Sequence, residues 1–136
     1  MADNPLKVEI VTPKSVLYKG SAESVTVPGS KGSFQVLKNH AAIVSALEPG
    51  IVKIEGPDGK KTFATGEGFT EVSDNKVSIL VERAFDSSDL DKTSLEDEIA
   101  ELRRKLKDAG KQEMEEIRLQ IKELDIRLKA VIRTES

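Results

Sequence analysis

Through the first 85 residues, apolar side chains recur at every second position in short runs. Leu6, Val8 and Ile10 alternate with Lys7 and Glu9, and this places one face of a strand on a core. Val25 and Val27 flank Thr26, and Phe34 and Val36 flank Gln35. Ile51-Val52-Lys53-Ile54 runs into Gly56-Pro57-Asp58-Gly59, a turn sequence, and Thr62-Phe63-Ala64-Thr65 is expected to return antiparallel. Phe69 to Val72 and Val77 to Val81 flank Ser73-Asp74-Asn75-Lys76, which predicts a second hairpin. Short strands with frequent turns predict an antiparallel β-sandwich or flattened barrel.

After residue 85 the period changes. Leu95, Ile99, Leu102, Leu106 and Ala109 fall at steps of four and three, as do Met114, Ile117, Ile121, Leu124, Leu128 and Val131. Each series is a one-sided helical stripe. Gly110 separates them, and so short a connection predicts an antiparallel two-helix hairpin. Ser88 with Asp91, or Thr93 with Glu96, are alternative caps for the first helix. Glu101–Lys105, Glu123–Arg127 and Asp125–Lys129 have the favourable acid-first spacing. Two helices with one stripe each are marginal alone, so the hairpin is expected to dock on its own β domain or on a partner. Leu119, Ile126 and Ile132 lie off the stripe of the second helix as ordinary flank burial or as a partner-contact face.

Composition supports a division into residues 1–85 and 86–136. Eight of the nine glycines and all five prolines precede residue 86. The first part is expected to fold without the second. The net charge of −3 gives no footprint for nucleic acid. With no cysteine there is neither a disulfide framework nor a thiolate metal site. No run approaches a membrane span of about 18 apolar residues, and Met1 to Leu6 has no apolar leader core. Charge is uneven within the second part. Residues 86–101 hold seven acids and one base, whereas residues 102–136 hold seven acids and ten bases. Arg103, Arg104, Lys105, Lys107, Arg118, Lys122, Arg127, Lys129 and Arg133 supply most of the positive charge. They form a solvated face or a surface for an acidic partner.

Four motifs carry a family resemblance. Pro28-Gly29, Gly32, Phe34, Val36-Leu37 and His40 stand in one spaced pattern, followed by Leu47-Glu48-Pro49-Gly50. Gly66-Glu67-Gly68-Phe69-Thr70-Glu71-Val72 follows, and Asn75, Val77, Ile79-Leu80 and Ala84 continue in register. In this order they resemble the epsilon subunits of bacterial-type rotary ATP synthases over nearly the whole chain. Gln35, Lys38-Asn39 and Glu67 depart from the family pattern of a glycine, a Pro-Gly and a second glycine.

The resemblance implies a non-catalytic subunit of the central rotor stalk, coupling proton flow to rotation. Its β domain, in which Gly29, Gly32, Phe34 and His40 form the family loop, would bind the gamma subunit and sit on the ring of c subunits. Its hairpin would fold down on the β domain or extend into the catalytic alpha/beta hexamer and inhibit ATP hydrolysis. Arg103, Arg104, Arg118, Lys122 and Arg127 are the expected partner-binding residues. No direct membrane span, nucleic acid, cofactor or homo-oligomer is implied. The location is the cytoplasmic face of a bacterial inner membrane, and the lack of a transit-like leader favours that origin. Some family members bind ATP through Ile/Leu-Asp-x-x-Arg-Ala. Here Leu90 and Asp91 match, but Ser94 replaces the arginine and Leu95 the alanine, which removes the phosphate partner.

No catalytic set emerges. Gly56 to Lys61 lacks the first glycine of a phosphate loop, because Ile54 stands there. His40 is the single histidine and is read as a loop residue bonded to its neighbours. Asp86, Asp89, Asp91 and Glu96 to Glu98 lack the spacing of a calcium loop and favour a helix N-terminus. An adaptor that binds partner helices, and a sensor whose β domain or its junction with the hairpin binds a nucleotide, are the alternative classes.

Overall fold

The alternating runs form the strands that the pattern predicts. A computed structural model describes residues 5–135, with side chains as far as Ile132. The strands are β1 (Leu6–Val11), β2 (Val16–Ala22), β3 (Ser24–Val27), β4 (Phe34–Leu37), β5 (Ile43–Leu47), β6 (Gly50–Gly56), β7 (Gly59–Thr65), β8 (Gly68–Ser73), β9 (Lys76–Val81) and β10 (Ala84–Asp86). They make two five-stranded sheets, β2-β1-β9-β8-β5 and β10-β7-β6-β3-β4. Neighbours run antiparallel except β1 and β9, which are parallel.

Inward side chains of both sheets form one core. Leu6, Val8, Ile10, Val25, Val27, Val36, Val52, Phe63, Val77 and Ile79 are all buried. Thr70 sits among them with its hydroxyl oxygen buried and unbonded. Both expected hairpins form. β6 and β7 pair from Gly50↔Thr65 to Gly56↔Gly59, and β8 and β9 from Gly68↔Val81 to Ser73↔Lys76. Asp74 and Asn75 have φ of 50° and 61°, as a two-residue primed turn requires.

The helical stripes also fold as expected. Helix α1 spans Lys92–Leu106 and α2 spans Lys111–Glu135. Leu95, Ile99, Leu124 and Val131 form their shared core, flanked by Leu90, Leu102, Ile121 and Leu128. The first cap differs from both expectations. Asp91 is the N-cap of α1, and its carboxylate accepts from Thr93 N at 3.2 Å and Ser94 Oγ at 2.8 Å. The Asp91 carboxylate satisfies both donors, one on each oxygen, from the position immediately before the first helical residue. Ser88 instead belongs to a short 3-10 turn, Ser87–Asp89, capped by Asp86. Glu101 pairs with Arg104, three residues on.

The hairpin lies against the second sheet through α2, which packs on β7 and β6. All four residues from Thr62 to Thr65 are consequently buried, although only alternate ones face the core. Ala64, opposite Ile51 and Phe85 on the outer face, is covered by this contact.

Candidate functional site

The Pro28-Gly29, Leu47-to-Gly50 and Gly68 segments converge at one end of the sandwich, whereas Asn39, His40 and Asn75 lie at the other. Gly29 bridges Leu47, Glu48 N donates to the Pro28 carbonyl at 3.0 Å, and Ser30 N donates to the Ala46 carbonyl at 3.0 Å. The first motif therefore clamps the Leu47-to-Gly50 motif. A Cβ on Gly50 would press on the Pro28 ring at 2.6 Å. Gly32 turns the loop at φ +125°, which only glycine adopts freely. Phe34 is half-buried against the core beside Gly29. Asn39 takes φ 66° where the family pattern has glycine, and its backbone N donates to Asn75 Oδ1 at 2.6 Å. His40 Nδ1 donates to the Ala41 carbonyl at 2.7 Å.

The sheet that carries no helix presents an apolar row. Register places Val16 opposite Val11, Val11 opposite Leu80, Leu80 opposite Phe69, and Phe69 opposite Ala46. These five residues cross all five strands on the outer face. Val16 and Phe69 are each 55% exposed and Leu80 39%. Val11, Leu80, Phe69 and Ala46 line, with Pro13, an open groove of about 680 Å³. A contiguous exposed apolar row on a strand surface marks an interaction face. Sequence reading missed it. Phe69 and Leu80 each sit in a predicted strand, but their alignment depends on a register set between segments far apart in the chain.

The basic residues separate into two kinds. Arg103 and Arg104 near the end of α1, and Arg118 and Lys122 one turn apart on α2, are exposed. Arg127 is turned inward, with its guanidinium 4.0 Å from the centre of the Phe85 ring. Arg133 has its side chain outside the described residues. In the degenerate nucleotide motif, Leu90 packs on the helical core, while Asp91 and Ser94 bond to each other as the cap. Leu119 is 63% exposed and Ile132 44%, whereas Ile126 is half-buried at the sandwich junction.

Asp86 holds the connection between sandwich and hairpin. Burial raises its carboxyl pKa, but the Ser88 backbone and hydroxyl and the Lys61 ammonium outweigh that and hold it below the ordinary value. Lys61 Nζ lies 3.2 Å from Oδ2. A carboxyl that ionises more readily when folded adds stability above its unfolded pKa and loses it as pH falls through the lowered folded value. Asp86→Asn is expected to lower the melting temperature by a few degrees at neutral pH. The gap between variant and wild type should close as the medium is acidified below the carboxylate range, which a pH series of thermal melts measures.

Comparison with known proteins follows the same division. Residues 5–87 match the family described as ATP synthase, Delta/Epsilon chain, beta-sandwich domain. The chain is 41% identical over 91 residues to the ATP synthase epsilon chain of Leptospira interrogans, covering 67% of this chain and 72% of that one. It is 39% identical over 106 residues to the epsilon chain of a Nitratiruptor species, covering 77% and 82%. Among solved structures, it superposes on a chain of the Euglena gracilis mitochondrial ATP synthase, described as OSCP/F1/c-ring in rotational state 1. The TM-score is 0.69 at 22% identity, with 98% of this chain and 82% of that one covered, a likeness of fold.

Proposed function

The chain belongs to the ATP synthase epsilon-chain family, and on that premise we propose that it is a non-catalytic subunit of the central rotor stalk. Residues 1–85 form the rotor-binding domain and residues 86–136 a regulatory hairpin. The observation that carries this reading is the asymmetry of the sandwich. One outer face is covered by the chain's own α2, and the other holds an apolar row open to solvent. We assign the open row to the gamma subunit of the rotor, with the ring of c subunits beneath the same domain. The assembly lies at the cytoplasmic face of a bacterial inner membrane. Among the described residues no helix is long and apolar enough to cross a membrane, so the chain's association with one runs through other subunits.

The hairpin supplies regulation. Docked, it buries the sandwich-facing side of α2. Extended, it brings Arg103, Arg104, Arg118 and Lys122 to acidic loops of the catalytic hexamer and slows hydrolysis. Exposed charges act mainly through complementarity and steering. Replacing these four by glutamine is expected to weaken inhibition of ATP hydrolysis in the reassembled complex by roughly fivefold or more, since each exposed pair is worth about 0.2–1 kcal/mol. Unchanged inhibition would remove the electrostatic contact from the mechanism. Retention of the chain on a gamma-subunit affinity column tests the stalk assignment separately.

A further inference from the structure

We infer that the hairpin is held on the sandwich by a latch of Arg83, Glu123, Arg127 and Phe85, and that this latch responds to ionic strength and not to nucleotide. The inference rests on the reading of the hairpin as a movable element and identifies what keeps it docked.

Glu123 stands between two guanidinium groups. Arg83 Nη2 donates to its Oε1 at 2.9 Å, and Arg127 Nη2 lies 3.9 Å from its Oε2. Arg127 in turn covers the Phe85 ring at 4.0 Å. Arg83 and Phe85 belong to the sandwich, whereas Glu123 and Arg127 lie one turn apart on α2. The four groups thus form one connected chain that crosses the junction twice. Apolar packing of α2 on β7 and β6, with Ala64 and Ala130 buried, lies beside them. They border a cleft of about 250 Å³ in which Ile126 is half-buried and Leu119 is 63% exposed. The polar contacts add to that packing and fix where α2 sits along the junction.

The side chains of Arg83 and Glu123 are 51% and 40% exposed, so their attraction is open to salt. That of Arg127 is only 21% exposed, and its stacking on Phe85 is better shielded. Salt is thus expected to loosen the latch in part, and loss of Glu123 to loosen it further.

A nucleotide finds no matching site at this place. The groove between the helices is lined by Glu98, Glu101 and Glu123 against Lys105 and Arg127. Arg127 is already engaged with Glu123 and Phe85. Both carboxylate oxygens of Asp91 are taken by Thr93 and Ser94. A triphosphate entering the groove would face three carboxylates.

Hydrogen–deuterium exchange of the full chain tests the latch, in dilute buffer, in about 0.5 M sodium chloride where charges are screened beyond a few ångströms, and with millimolar magnesium ATP. In dilute buffer Glu123→Gln is expected to speed exchange of the α2 amides from Leu119 to Ala130 by about fivefold or more. Salt should move the wild type part of the way towards the variant, and ATP should move neither. Arg127→Lys keeps the charge but loses the planar stack, so an intermediate rate is expected. Exchange in β1 and β9 serves as the folding control. Wild-type rates in both variants, or protection of α2 by ATP, would overturn the inference. Either result would leave binding to gamma untouched, and loss of wild-type gamma binding would instead overturn the stalk reading.

Discussion

Replacing Phe69 by glutamate and Leu80 by lysine is expected to lower affinity for the gamma subunit by about 100-fold or more without unfolding the chain. The two residues are directly opposed on neighbouring strands and lie in the middle of the open apolar row. A glutamate facing a lysine across strands is a favourable pair in water, so the free protein loses little. Within an interface the same pair must shed its hydration, and the aromatic and aliphatic anchors are gone. Losses of more than about 2 kcal/mol are typical for anchors at an interface centre, and a tenfold loss of affinity corresponds to about 1.4 kcal/mol. Titration calorimetry against the isolated gamma subunit measures the effect. Affinity within threefold of wild type would mean that gamma binds elsewhere on the sandwich.

The second large effect concerns stability. Gly68→Ala is expected to cost about 3 kcal/mol or more, which corresponds to a drop of roughly 10–20 °C in the melting temperature of a sandwich this size. A Cβ built on Gly68 collides with the Leu80 carbonyl and approaches Val81 Cα to 2.8 Å. Both obstacles are backbone of the paired strand and cannot rotate away. The neighbouring Gly66 is a control, since its Cβ would meet nothing nearer than 3.7 Å. Gly66→Ala should be nearly neutral. Of the two glycines that flank Glu67, only the second is demanded by packing, and the glutamate between them is accommodated as an exposed side chain. Equal melting temperatures for the two variants would show that β8 and β9 can move apart at little cost.

Local pattern exposed much of this fold before any coordinates. Strand β1 announces itself by alternation, and β6 to β9 by short apolar runs on either side of strong turn sequences. Both helices follow stripes in which every named apolar position is buried or half-buried. Strands β2 and β5 lie at sheet edges, where Val16, Leu17, Ile43 and Val44 are exposed and clean alternation is lost. Strand β10 is three residues long and exists because it pairs with β7. The cap at Asp91 was hidden between two competing signatures. The candidate surfaces were least legible. The apolar row needs the register of five strands, and the Arg83–Glu123 contact joins residues forty apart in the chain. Arg127 looked like a solvent-facing cation because its ring partner Phe85 lies in a different element.

The most direct measurement is ATP hydrolysis by the reassembled catalytic complex, with the full chain and with a form ending at Ser88. That endpoint keeps the Asp86 contacts to Lys61 and Ser88 that close the sandwich. Both forms should remain bound to gamma, and the shortened form should give faster hydrolysis. Equal rates with both forms bound would contradict the regulatory role of the hairpin, and failure of either form to bind gamma would contradict the stalk assignment itself.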